Sequence, residues 1–284
     1  MTSTIVVGVD GSAPSLAAVE YAARDAARRN AALRIVHVWP PLTVGDNEVH
    51  ATERAHHEGI VAEAQRRAWD CAPDIEISAQ LIRGDVIDRL NQEAMGADEV
   101  VIGSRGMGGF AGLILGSVGL ALAGHTAGPV VVVRKSPRHT YGELVVGYDG
   151  SEESETALDY AFAEAQRRQA RLKLVYAWQP PVLAASAAGY GALIQHWFDE
   201  QTTFVRQRLA PWTEKFPTVP VEHVGVCGHP VYVLSEESRT ADLVIVGSRG
   251  RGVIRSTALG SVGHGLLHRA HCPIAIVTEK EDRR

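Results

Sequence analysis

Short apolar runs alternate with longer, alanine-rich polar stretches along the whole chain. TIVVGV (4–9) is dense in β-branched residues and reads as a strand buried on both faces. Asp10-Gly11-Ser12 interrupts it, and Ser12 or Ser15 starts a helix to about Arg29 with Ala17, Ala18, Tyr21 and Ala22 on one face. LRIVHVW (33–39) predicts a second strand, ended by Pro40-Pro41. A charged stretch from about Glu48 to Cys71 predicts a helix, and IEISAQLI (75–82) a third strand. A short helix from Asp85 to Ala94, the strand DEVVIG (98–103), a helix from Ser117 to about His125 and the strand PVVVVR (129–134) complete the series. This β-α alternation predicts an α/β fold, a parallel sheet with helices on both faces.

The pattern then repeats, with strands predicted at 143–148, 172–178, 219–226, 242–247 and 273–278. VVGVDGS (6–12) returns as VVGYDGS (145–151), and GSRGMGGFAGLILGSVG (103–119) returns as GSRGRGVIRSTALGSVG (247–263). Tyr21/Tyr160, Trp39/Trp178, Gly84/Gly228 and Pro129/Pro273 keep the same registers. Solenoid repeats are far shorter, so the chain reads as two tandem domains, 1–138 and 139–284, joined by the short polar segment 135–142. Each is expected to be a doubly wound, Rossmann-like, five-stranded parallel sheet with strand order 3-2-1-4-5.

Composition narrows the function classes. The 284 residues are 45% hydrophobic with a formal net charge of −5, which gives no bulk electrostatic reason to bind nucleic acid or an anionic membrane. No apolar run reaches transmembrane length, and the first strand begins too close to Met1 to leave room for a signal peptide. Cys71, Cys227 and Cys272 are scattered, with no CxxC pair, so a cytoplasmic protein without disulfides is expected.

The candidate chemistry lies in the doubled glycine loop. Backbone N–H groups of such a segment, together with a helix N-terminus, can cradle a phosphate. In a doubly wound sheet, ligands sit at the carboxyl ends of the strands where the order reverses. There the first strand ends at Asp10 (Asp149 in the second half) and the fourth runs into Gly103 (Gly247). A P-loop needs a lysine where Gly109 stands, and a dinucleotide fingerprint belongs on the first βα turn, so both readings fail. What remains is G-x2-G-x9-G-[ST]: Gly103, Gly106, Gly116 and Ser117, repeated as Gly247, Gly250, Gly260 and Ser261.

With the VGxDGS strand end, this pattern resembles the universal stress protein family in its tandem-domain, ATP-binding form, over almost the whole chain. The resemblance implies an adenine nucleotide alpha hydrolase-like fold and one ATP per domain, with or without Mg²⁺. It implies that Asp10 and Asp149 lie beside the nucleoside, that Gly8 and Gly147 leave room for it, and that the backbone of Val38 and Ala177 contacts adenine. Ribose and phosphates would fall to Gly103, Ser104, Arg105, Gly106 and Gly108, then Gly116, Ser117 and Val118. Their counterparts are Gly247, Ser248, Arg249, Gly250 and Gly252, then Gly260, Ser261 and Val262. It further implies dimer contacts through the last strand of each domain, hence a homo-oligomer, and an unidentified signalling partner.

The absence of a loop lysine, a metal-holding acid pair and a positioned base points to a nucleotide sensor rather than an enzyme. The alternative is a slow ATPase or nucleotidyl-transfer enzyme using Asp10 and Asp149 with Mg²⁺. Asp10 could instead simply cap the following helix. His264, His268, His271 and Cys272 have no repeated counterparts and read as helix-end residues, not metal ligands; His50, His56, His57, Glu53 and Glu58 read as a solvated helix face.

Overall fold

The computed structural model describes residues 3–39, 47–106, 116–126, 128–136, 139–179, 203, 205, 207–250 and 259–278. Two compact units result: residues 1–138 together with 272–284, and residues 139–271. In the first, β1 (Thr4–Val9), β2 (Ala32–Trp39), β3 (Ile77–Arg83), β4 (Glu99–Gly103) and β5 (Val130–Val133) pair in parallel in the order β3-β2-β1-β4-β5. Helices α1 (Ala13–Arg29), α2 (Asn47–Cys71), α3 (Val86–Ala94) and α4 (Ser117–Leu122) connect them. Ile5, Val6 and Val7 of β1 are wholly buried, as a strand covered on both faces requires.

The second unit repeats this order with β6 (Glu143–Gly147), β7 (Arg171–Trp178), β8 (Val221–Cys227) and β9 (Leu243–Gly247), paired in parallel as β8-β7-β6-β9. Its described helices are α5 (Glu152–Arg168), a stretch over 207–215 (α6), α7 (Pro230–Glu237) and α8 (Ser261–Arg269). The last strand, β10 (Ile274–Val277), completes the repeat in the same order, β8-β7-β6-β9-β10. The register partner of β5, it groups with the first unit and pairs antiparallel with β5, Ala275 opposite Val131.

Small residues let the first helix lie close to its sheet: Ala18, Ala22, Ala23 and Ala26 of α1 are fully buried. Below them Arg29 bridges Asp25 and Glu99, both of which are buried. The second unit keeps the helix half of this network, Arg168 with buried Glu164, but has Leu243 where β4 has Glu99. Among the described residues no helix is long and apolar enough to cross a membrane, and no cluster of His, Cys, Asp and Glu could hold a metal.

Candidate functional site

Each unit has a cavity at the carboxyl ends of its first and fourth strands, where two βα turns diverge. The first turn is built the same way in both. Gly11 and Gly150 take positive φ of 85° and 76°, which reverses the chain directly after the aspartate. Ser12 and Ser151 cap the helices by accepting from the N–H of Ser15 and Ser154. Asp10 is therefore not the cap. Its Oδ1 accepts from the Ser12 N–H (3.0 Å) and hydroxyl (2.6 Å), and Asp149 accepts from Ser151 at the same two distances. This fixes one carboxylate oxygen and turns the other toward the glycine loop.

The structure gives each loop glycine its own reason. A Cβ on Gly103 would lie 2.7 Å from the Ser15 backbone nitrogen, and one on Gly247 would lie 2.7 Å from the Glu153 carbonyl oxygen. These two glycines thus admit the start of the preceding helix, a demand made by packing alone. A Cβ on Gly106 would fall on Asp10 Oδ2, and one on Gly250 would sit 2.5 Å from Asp149 Oδ2. Gly8 and Gly147 face leucines of the neighbouring helices, Leu90 and Leu234, at 3.3 and 2.9 Å.

Gly116 is different. Its φ and ψ of −77° and 151° suit any residue, and a Cβ there would meet nothing among the described residues nearer than 3.6 Å. It nevertheless stands at the N-cap of α4 with no side-chain hydrogen bond to the helix start, as Gly260 does at α8. Nothing described in the protein requires glycine at 116; a ligand approaching the open backbone N–H groups would.

The first cavity, of about 530 Å³, is lined by Gly8, Asp10, Val38, Gly103, Arg105, Gly106, Gly116, Ser117 and Val118. The second, of about 170 Å³, is lined by Gly147, Asp149, Ala177, Gly247, Arg249, Gly250, Gly260, Ser261 and Val262. Ser104 and Ser248 do not line them. Both are buried with hydroxyls lacking a partner among the described residues, and their carbonyls accept the N–H of Gly116 (2.8 Å) and Gly260 (2.7 Å), anchoring the far end of each loop. Gly108 and Gly252 lie outside the described residues. Sequence reasoning passed over Ser15, Val86 and Leu90 in the first cavity and Ser154, Pro230 and Leu234 in the second. The apolar positions of the third helix of each half were the available signal.

Behind the first cavity lies an unexpected pair. The polar face of α2 is not wholly solvated: His57 turns inward onto buried His37 of β2. The Val9 carbonyl lies 2.7 Å from His37 Nδ1, so that nitrogen donates, and His37 Nε2 then accepts from His57 Nδ1 at 2.7 Å. Burial lowers the pKa of both rings from the ordinary 6.5; His56 opposes charge on both, and His37 opposes it on His57. Asp10 acts the other way on His37, and Glu53 on His57. In the second unit Tyr176 occupies the register of His37.

The family profile described as the universal stress protein family matches residues 1–134 and again 140–278. A universal stress protein of Mycobacterium tuberculosis is 35% identical over 98% of this chain and 96% of its own length. One from Mycolicibacterium smegmatis is 33% identical over 96% of each. Among solved structures, a universal stress protein of Archaeoglobus fulgidus superposes with a TM-score of 0.74 over 99% of this chain and 97% of that one, at 18% identity, a likeness of fold.

Proposed function

This chain belongs to the universal stress protein family in tandem form, and we propose that each unit binds one adenine nucleotide, ATP, in the cavity beside Asp10 or Asp149. The observation that carries this reading is the start of α4. Gly116 is a glycine that nothing among the described residues requires, set at a helix start whose N–H groups open onto a cavity that also holds Arg105 and the strand-end acid. Such a helix start suits a phosphate, and a cavity of about 530 Å³ is within the roughly 300 to 1,000 Å³ of small-molecule sites. Val36, Val38 and Leu90 supply an apolar wall suited to a base.

In this reading the protein is a cytoplasmic nucleotide-dependent signalling module rather than an enzyme. Ser12 and Ser151 each occupy Oδ1 of the strand-end acid, which leaves that oxygen poorly placed to hold Mg²⁺ for phosphoryl transfer. Mg²⁺ would then arrive with the phosphates. A homo-oligomer formed through the last strands, and a partner that senses the nucleotide state, complete the proposal.

Gly116→Ala is the sharp test, because the added methyl meets only ordinary contacts among the described residues. The variant is expected to unfold within about 0.5 kcal/mol of the parent yet to lose ATP at the first site at least tenfold in equilibrium dialysis. Unchanged ATP binding in both Gly116→Ala and Gly260→Ala would sink the reading. Hydrolysis that survives further purification and vanishes in the Asp10→Asn/Asp149→Asn double variant would replace it with the enzymatic one.

A further inference from the structure

The two cavities share their motifs, but residues outside those motifs make them unequal. At the helix start beside the glycine loop the first unit has Pro14 and the second has Glu153, the residues just before Ser15 and Ser154. Glu153 packs directly on Gly247, and its Oε1 lies 3.5 Å from Nε of Arg249, a lining residue of the second cavity. The cation offered to a phosphate there is already faced by a carboxylate. In the first cavity Arg105 has no carboxylate partner among the described residues.

A second cation stands on the same side of the first unit. Arg134 follows β5, whose Val133 carbonyl accepts the N–H of Ser104, so Arg105 and Arg134 emerge from adjacent strand ends. Arg134 is half-buried, and burial together with the charge of Arg105 depresses its pKa. Two like charges on adjacent strand ends raise the positive potential at this end of the first unit.

Shape differs in the same sense. Val9 lines the first cavity where buried Tyr148 lines the second, and the volumes are about 530 and 170 Å³. The larger falls within the usual span of small-molecule sites, roughly 300 to 1,000 Å³, and the smaller lies below it.

Building on the nucleotide reading of both cavities, we propose that the two sites favour different phosphate chains. The first tightens from AMP to ATP, whereas the second does not, and Glu153 is the residue that sets the difference. A carboxylate within several ångströms of a phosphate chain, in a partly solvated site, weakens a triphosphate roughly three- to tenfold while leaving the nucleoside part untouched. The second loop also carries Arg251 and Arg255 where the first has Met107 and Ala111, outside the described residues, so their charge needs its own control.

The experiment is calorimetric titration of the intact chain with adenosine, AMP, ADP and ATP, using Gly260→Ala to leave the first site open and Gly116→Ala to leave the second. The open first site is expected to tighten with each phosphate, and the open second site to bind AMP and ATP alike. Adding E153Q should tighten ATP at the second site roughly three- to tenfold with AMP unchanged; P14E in the first site should produce the mirror-image loss. Adding R251M/R255A should leave the second site's ATP-to-AMP ratio where it was. Equal tightening at both sites, or an ATP-to-AMP ratio that E153Q and P14E leave unmoved or that tracks Arg251 and Arg255 instead, would overturn the inference while leaving the nucleotide reading intact. If none of the four ligands binds either site, the nucleotide reading itself falls, and this inference with it.

Discussion

The two units use one plan for the turn and two plans for what surrounds it. At the strand-end aspartate, the bonds that Oδ1 of Asp10 and of Asp149 accepts from the cap serine have the same donors and the same lengths. Away from that turn they part: a buried histidine against Tyr176, Pro14 against Glu153, and Glu99 against Leu243. Duplication thus preserved the backbone geometry that a ligand cradle needs and released the positions that set charge, cavity size and pH response.

The largest expected difference concerns the ion network under α1. Arg29→Met would leave both Asp25 and Glu99 buried beside a lost cation and should cost about 3–5 kcal/mol; Arg168→Met uncovers buried Glu164, with Leu243 in the register of Glu99, and should cost less. Chemical denaturation of the two variants decides it, and equal costs would mean that Leu243 is no relief. Next come the helix-packing glycines. Gly103→Ala and Gly247→Ala both press a methyl onto backbone 2.7 Å away, so each should lose about 1–3 kcal/mol, and by similar amounts. A cost confined to one of them would break the equivalence of the two turns.

The smallest effect is a pH dependence. His37 and His57 have lowered pKa values in the folded chain, so the unfolded chain binds their protons first. The stability they contribute is full above the ordinary value of 6.5 and is lost as the pH falls below it. Thermal midpoints at pH 7.5, 6.5 and 5.5 should therefore fall more steeply for the parent than for His37→Tyr, which copies the second unit. Parallel curves would show that the pair does not titrate on unfolding.

Much of this architecture is legible in the sequence because it rests on local periodicity. The strands IVVG, VVIG and LVVG are apolar runs of one length, and the Asp-Gly-Ser turns announce the helix starts, so the parallel sheet follows from the alternation, while the order 3-2-1-4-5, and with it the meeting of Asp10 with Gly103, follows from the doubly wound pattern. The reasons for individual glycines do not follow. Gly103 and Gly116 look alike in a motif, yet one answers to the backbone of Ser15 and the other to nothing among the described residues. That distinction depends on where α1 packs, which is a matter of tertiary contact. His57 was hidden for the same reason: a charged helix does not disclose which of three neighbouring histidines and glutamates meets a buried ring on another strand. Nor does register alone disclose that β10 groups with the first unit and pairs with β5.

That strand has a consequence for how the chain is made. The first unit's β5 takes its antiparallel neighbour from residues 274–277, the last described strand in the order of synthesis. Until those residues leave the ribosome, Val130 to Val133 present an open, uncharged strand edge, the kind of surface that recruits another chain. The first half is therefore complete only when the second has been translated, and a nascent chain stalled in between is the species most exposed to mispairing.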